Sequence, residues 1–367
     1  MTGAWIEGKP AALAAAAAEA ARLIAASRLP VIAGLGTDIA GARAAIALAE
    51  RVRGVIDHMH SDALMRDLAV MRESGIMVTT PNEARARGDV LLLVGPGLTE
   101  AWPGLETRLL AKPLAPEIGP SARRIVWLCP GRDGLKAENI RIAGRDPRDL
   151  PVLLAALRAR VGGRAAGKVS LSGKALDALA AELKAAKFGV AVWSAAALGE
   201  LAIEMLCGLV RDLNAGTRFT GLPLVPGDNA AGVQQASGWM TGFPVRTGFG
   251  RGYPEHDPWR FDAKRLAESS EADCLVYISA FERTVTPVYD PALTTIALCG
   301  PDTSERDHAQ VRIAVGRPAR DHDAVTHSPE TGTLVYRAAS HPGDAISVAD
   351  AIALIAARLP DAGAAPC

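Results

Sequence analysis

Cysteine is scarce and scattered. The five thiols, Cys129, Cys207, Cys274, Cys299 and Cys367, are spread over 367 residues with no CxxC pair. That spacing argues against a thiolate metal centre and a disulfide framework, leaving reduced thiols in a cytoplasmic protein as the default. No excess of one charge exists either: lysine plus arginine and aspartate plus glutamate stand at 40 each. Such a chain has no surplus of positive charge with which to displace counterions from nucleic acid. Long apolar runs are missing, since each is broken by charge, glycine or proline well short of the roughly 20 residues that span a bilayer. The opening MTGAWIEGKP has no basic stretch leading into an apolar core, and Glu19 and Arg22 interrupt the alanine run behind it, so export is not expected. Also lacking are a G-x-S-x-G elbow, an HExxH pair and a phosphate-binding loop ending in G-K-[ST], the usual signatures of serine hydrolases, zinc peptidases and nucleotide hydrolases.

What is present suits two α/β cores. The chain is 49% hydrophobic, enough to bury more than one core at this length. Residues 11–27 are almost all strong helix formers, and Pro30 opens the apolar run VIAGLG. From Thr37 the pattern places Ile39, Ala42, Ile46 and Ala49 at helical spacing, with Thr37 or Asp38 as cap, before a second strand at GVID. Runs without polar alternation recur at DVLLLVG (89–95), RIVWLC (124–129), KFGVAVWS (187–194), DCLVYIS (273–279) and TTIALCG (294–300). They read as strands buried on both faces, as in parallel sheets covered by helices. A further helix, LGELAIEMLCGLVRDLNAG, is expected to close at Gly216.

An internal echo supports related halves: IVWLCPG followed by NIRIAG resembles TIALCGP followed by QVRIAVG. The expected fold is therefore α/β with two related, doubly wound, mostly parallel-sheet domains. The glycine-rich stretch RVGGRAAGKVSLSG sets the boundary, giving residues 1–165, residues 166–330 with a long loop at 227–259, and a C-terminal segment 331–367, with interleaving of the halves left open.

Three constellations carry candidate chemistry. Gly34 and Gly36 in GLGTDIAG fit the first two positions of a dinucleotide-binding glycine turn, with Asp57 as the ribose-binding acid, but the third glycine position falls on Ile39. A plain strand-to-helix turn is the competing reading. His58 and His60 can share an ion, with Asp57 and Asp62 as oxygen ligands; against that, H-x-H is a short pattern, and the remaining histidines fall in what read as polar C-terminal loops. The third is GDNAAGVQQASGWMTGFPVRTGFGRGYPEHDPW, residues 227–259, with Trp239, Phe243, Phe249, Tyr253 and Trp259 among its glycines. Gln234 and Gln235 offer amides, and Arg246 and Arg251 offer forks for carboxylates; burial of the aromatics against another chain is the alternative.

Taken together, AWIEGKPAAL, GLGTDIAGARAAIALAERVRGVID, ARGDVLLLVGPGLTEAWP, GDNAAGVQQASGWMTGFP and FGRGYPEHDP resemble the B-type subunits of formylmethanofuran dehydrogenases, within the molybdopterin oxidoreductase superfamily, over nearly the whole chain. The resemblance implies the fold of that superfamily. Its departures imply a loss of chemistry. Enzymes of the family begin with a cysteine motif for an iron–sulfur cluster, whereas no cysteine precedes Cys129 here and the chain opens where that segment would already have ended, so no cluster is expected. Where the family places a Cys-His pair whose thiolate ligates molybdenum or tungsten, this sequence has Ala63 and Leu64, which can neither coordinate a metal nor assist proton transfer. No catalytic residue is therefore expected, and neither molybdopterin nor a cluster is expected to be bound.

That combination is similar to the B-type subunits of formyltransferase/hydrolase complexes of methylotrophic bacteria. The resemblance implies a role in one-carbon metabolism and formaldehyde oxidation beside three partners: an A-type chain that is an amidohydrolase, a C-type chain, and a D-type chain that is a formyltransferase and uses the carrier methylofuran. Asp228, Asn229, Gln234, Gln235, Trp239, Arg246 and Arg251 are the candidate contacts with the polyglutamate part of that carrier or with a partner chain. The alternatives are an active molybdopterin-dependent dehydrogenase and a nicotinamide-dependent dehydrogenase.

Overall fold

The computed structural model describes residues 3–110, 115, 123–135, 140–281, 287–300 and 308–360; Cys367 lies outside them. The chain forms two compact units. One comprises Met1–Ser61, Asp228–His327 and Leu334–Cys367, the other Asp62–Gly227 and Ser328–Thr333.

The first unit is built on a nine-stranded sheet. Its centre is parallel, in the order Val55–Ile56, Pro30–Gly36, Cys274–Ser279, Thr294–Cys299, Val311–Ala314. Antiparallel pairs finish both edges: Thr247–Gly248 and Glu255–His256 on one side, Ala4–Ile6 and Lys9–Ala11 on the other. Every residue of Pro30–Gly36 and of Cys274–Ser279 is buried, as expected for strands covered on both faces. Helix Ile39–Arg51, capped by Asp38 accepting from the Gly41 amide at 2.9 Å, packs against helices Val348–Ala356 and Ala230–Thr241.

The second unit holds a five-stranded, wholly parallel sheet in the order Ile140–Ala143, Arg124–Leu128, Val90–Val94, Gly189–Ser194, Phe219–Leu224. Alternate residues feed separate cores. Val90, Leu92, Val94, Ala191 and Trp193 join one cluster with helices Leu150–Val161 and Glu200–Leu213, whereas Leu91, Leu93, Val190 and Val192 join another with Trp102 and Trp127. This period of two explains why the strands read as unbroken apolar runs. The buried Asp89 carboxylate anchors the entrance, accepting from the Lys187 amide at 3.1 Å and the Phe188 amide at 2.8 Å.

The echoed sequences occupy matching places: Arg124–Leu128 beside Ile140–Ala143 in one unit, Thr294–Cys299 beside Val311–Ala314 in the other, each a pair of neighbouring parallel strands. The boundary anticipated near residue 165 falls instead inside the second unit, because helix Gly173–Lys184 folds back onto Leu150–Val161. The first 61 residues group with the segment from Asp228 onward because Pro30–Gly36 is hydrogen-bonded directly to Cys274–Ser279. The helix expected to close at Gly216 ends at Leu213, where the Asn214 side-chain amide donates to Val210 O at 2.7 Å and to Phe219 O.

Gly34 is where the fold depends most plainly on a missing side chain. Its φ is +78°, and a β-carbon there would sit 2.5 Å from the Ile278 carbonyl oxygen. Gly34→Ala is therefore expected to destabilise the protein by about 2 kcal/mol or more, read as a lowered denaturation midpoint; an unchanged midpoint would mean that the backbone relaxes freely there.

Candidate functional site

The segment after strand Val55–Ile56 gathers three ionisable groups, each held in a different way. Asp57 is buried. One carboxylate oxygen accepts from the His58 amide at 2.9 Å and from the Ser61 hydroxyl, and the other accepts from the Ala263 amide at 2.9 Å. Arg246, only 9% exposed, places its Nε 3.5 Å from Asp57, pairs with Asp262, and donates from Nη1 to Pro258 O at 2.8 Å. Burial pushes the Asp57 carboxyl up to about 6, with the Arg246 charge opposing the shift. Asp262 in turn caps helix Ala263–Glu268, accepting from the Arg265 amide at 2.7 Å.

The segment that brings Arg246 is tied to the same strand by its backbone. Arg246 N donates to Ile56 O at 3.0 Å, Phe249 N donates to Gly54 O at 2.9 Å, and Thr247 pairs with Ile56. Gly248 permits this approach, since a β-carbon there would lie 2.4 Å from the Phe261 ring.

His58 is 3% exposed, and its hydrogen bonds set its tautomer. The His60 amide donates to Nδ1 at 3.0 Å, so that nitrogen carries no proton, and Nε2–H points at the Asp228 carbonyl at 3.2 Å. Both nitrogens are occupied and the ring is neutral. Burial, helped by the neighbouring His60, pushes its pKa down to about 4. His60 Nε2 lies 3.0 Å from the Asp228 carboxylate. The two rings lie 5.5 Å apart and share no vacant position for an ion. Among the described residues, no three histidine, cysteine or acidic side chains come together to hold a metal.

Asp228 and Asn229 take left-handed backbone angles, φ 53° and 58°, which these two residue types tolerate better than most. Asn229 donates to the Thr37 carbonyl at 2.8 Å and accepts from the His327 amide at 2.8 Å. Gly232 makes room for it, because a β-carbon there would fall 2.3 Å from the Asn229 oxygen. The stretch GDNAAG is thus a structural knot joining three segments of the first unit.

Several expectations need correction. Residues 227–259 are not an irregular loop: they hold helix Ala230–Thr241, closed by Gly242 at φ +78°, and two short strands. Gly232 and Gly238 hid the helix, while Val233, Ala236 and Ser237 form its buried side. Arg246 and Arg251 do hold carboxylates, but these belong to the protein itself; Arg251 pairs with Glu255 at 3.2 Å. Gln234 accepts from the Val245 amide at 3.3 Å, and Gln235 is half-buried. His58 is a core residue rather than a solvated one, and His256 and His327 lie in strands rather than loops. Asp57, engaged on both oxygens, is not presented to a ribose, so the structure does not favour the nicotinamide reading. Ala63 is buried in an apolar cluster of the second unit, and Leu64 is half-buried.

The exposed part of the 227–259 segment is aromatic. Trp239 is 65% exposed and Trp259 71%, with Phe243 and Tyr253 also open to solvent. Arg265 lies over the Trp259 ring, 4.4 Å from its centroid, and Phe243 stacks on His256. Sequence reasoning missed a half-buried acid, Asp67, which accepts from the Trp193 indole at 2.9 Å and is raised by desolvation to about 6; nothing in its spacing singles it out.

No protein-family model matches the chain. It is 34% identical to the B-type subunit of the formyltransferase/hydrolase complex of Methylorubrum extorquens, over 98% of this chain and 97% of that protein. It is 29% identical to the B-type subunit of a tungsten-containing formylmethanofuran dehydrogenase of Methanocaldococcus jannaschii, over 71% of this chain and 62% of that one. Among solved structures it is similar, with a TM-score of 0.87 and 34% identity over 97% of this chain and 98% of the other, to a chain in the crystal structure of the M. extorquens formyltransferase/hydrolase complex with methylofuran.

Two predictions test the buried network. Arg246→Met leaves Asp57 and Asp262 without their cation and is expected to cost about 3–5 kcal/mol, part of which Asp57→Asn restores in the double variant; additive losses in a denaturation cycle would dissolve the network. The second concerns pH. His58, depressed to about 4, contributes stability that is full above its unfolded pKa of 6.5 and is lost as pH falls through that window. Asp57, raised from 3.8 to about 6, has the opposite sign: its contribution is full below 3.8 and is lost as pH rises through 6. The two nearly cancel in the unaltered protein. Asp57→Asn should therefore lose about 1–2 kcal/mol more than its parent between pH 7 and 5, and His58→Asn should lose less than the parent. Parallel pH profiles of unfolding midpoint for all three would contradict both assignments.

Proposed function

The chain belongs to the family of B-type subunits of formyltransferase/hydrolase complexes, and we propose that it is the non-catalytic structural and binding component of such a complex. The observation that carries this reading is near-complete likeness to a B-type subunit of that kind combined with hydrocarbon side chains, Ala63 and Leu64, at the position where the resemblance to the tungsten enzymes calls for a thiolate and its histidine neighbour. Thiolate is the donor that such a metal needs from the protein, and alanine within an apolar cluster offers no lone pair. The donor set present does not fit the metal. In this reading the two parallel-sheet units are the inherited framework of the molybdopterin oxidoreductases, and the chain holds neither pterin nor iron–sulfur cluster.

The chemistry then belongs to the partners. The D-type formyltransferase loads methylofuran, the A-type amidohydrolase releases formate, and this chain, with the C-type partner, holds the assembly. The surface best suited to partner contact is the exposed aromatic set Trp239, Phe243, Tyr253 and Trp259 beside Arg251. Tryptophan, tyrosine and arginine are the side chains that most often dominate protein interfaces. Asp228, Asn229 and Arg246 tie the same segment to the rest of its unit, Gln234 bonds within it, and Gln235 is half-buried on the helix that carries Trp239. No described helix is long and apolar enough to cross a membrane, and a cytoplasmic location accords with this role.

Purification of the native protein should recover an amidohydrolase and a formyltransferase in fixed ratio, with molybdenum and tungsten far below one per chain. A Trp239→Ala, Trp259→Ala double variant should weaken that recovery at least about tenfold while leaving the melting temperature unchanged. Stoichiometric metal would overturn the non-catalytic reading, and intact assembly of the double variant would remove the aromatic face from it.

A further inference from the structure

We infer that the groove between helices Leu150–Val161 and Glu200–Leu213, within the second unit, binds a small molecule carrying two or more carboxylates. The groove encloses about 610 Å³ and is lined by Arg158, Arg164 and Arg211 against a single acid, Asp212, over a floor that includes Ala155, Ala159 and Met205. A volume of this size suits a small ligand, and three arginines facing one aspartate leave the groove cationic.

Arg158 is fixed in place. Its Nε donates to Asp212 at 2.8 Å and Nη1 reaches the Met205 sulfur at 3.7 Å. The guanidinium lies across Gly208, where a β-carbon would come within 2.5 Å of its central carbon. Arg164 and Arg211 are exposed and have no ion pair or side-chain hydrogen bond among the described residues. They are not needed as helix caps. The carbonyls of Arg158, Ala159 and Arg160 already accept from the amides of Gly162, Arg164 and Gly163, and those of Val210, Arg211, Asp212 and Leu213 accept from residues 214–217. Two cations with nothing of the protein's own to bind therefore flank a third that is held rigid.

The chemistry favours carboxylates over phosphate. Phosphate sites gather backbone N–H groups at helix N-termini, and among the described residues no helix N-terminus lines this groove. Separated guanidinium forks over an apolar floor match carboxylates spread along a hydrocarbon body, each taken by one arginine.

Calorimetric titration of the full chain with butane-1,2,3,4-tetracarboxylate tests this, with inorganic phosphate as the comparison. Saturable binding that weakens as salt rises is expected, with phosphate at least about tenfold weaker. An Arg164→Gln, Arg211→Gln double variant, both positions being on the surface, should lose at least about tenfold in affinity with an unchanged circular dichroism spectrum. Gly208→Ala should do the same by displacing the Arg158 guanidinium. Absence of saturable heat, equal binding of phosphate, or unaltered affinity in the double variant would overturn the assignment.

Discussion

The first unit depends on one buried cation. Arg246 stands between Asp57, at the end of strand Val55–Ile56, and Asp262, at the start of helix Ala263–Glu268. Without it, two carboxylates would face each other in an apolar surround with only amides and a hydroxyl to hold them. The arrangement stabilises little in net terms, because desolvating three ionised groups offsets most of the attraction among them. What it fixes is register. The backbone of Arg246 bonds to Ile56 while its side chain bonds to Asp57, so the segment entering at 244 can meet the strand in one alignment only. Burial raises the Asp57 carboxyl more than the guanidinium lowers it.

A second lock involves residues that follow the same strand. Asp228 and Asn229 accept left-handed backbone angles so that their side chains and carbonyl groups can serve His58, His60, Thr37 and His327 together. The histidine pair that looks in sequence like half of a metal site is consumed by this lock. An imidazole becomes a ligand by presenting a lone pair; that of His58 Nδ1 is taken by the His60 amide, and its other nitrogen donates a proton to a carbonyl.

The sheets were legible from sequence because parallel strands buried on both faces leave no polar residue in the run, and each apolar stretch singled out corresponds to a central strand. The edge strands of the nine-stranded sheet, two or three residues long, carry no such pattern. The division of the chain was not legible. It depends on which strands pair, and the pairing of Pro30–Gly36 with Cys274–Ser279 crosses about 240 residues that no local period records. The helix at Ala230–Thr241 was concealed because glycines needed for close approach, notably Gly232 beneath Asn229, lower helix propensity where tertiary packing then overrides it. Of the candidate site, the sequence shows arginines suited to carboxylates but cannot show that Arg246 meets Asp57 and Asp262 and that Arg251 meets Glu255 within the chain itself.

These locks bear on the exposed aromatics carried by the same segment. In a chain only 4% aromatic, large rings left in solvent cost hydration free energy and invite aggregation unless something covers them. A flexible loop could fold its rings inward. This segment is held in place, because its helix closes on Gly242 and strand Thr247–Gly248 is paired with Val55–Ile56. Rings held outward on a rigid frame lose little conformational entropy when a partner arrives, and that is the property which lets a modest interface bind tightly. The buried charges that read in sequence as ligand-binding groups thus hold the segment that carries these rings.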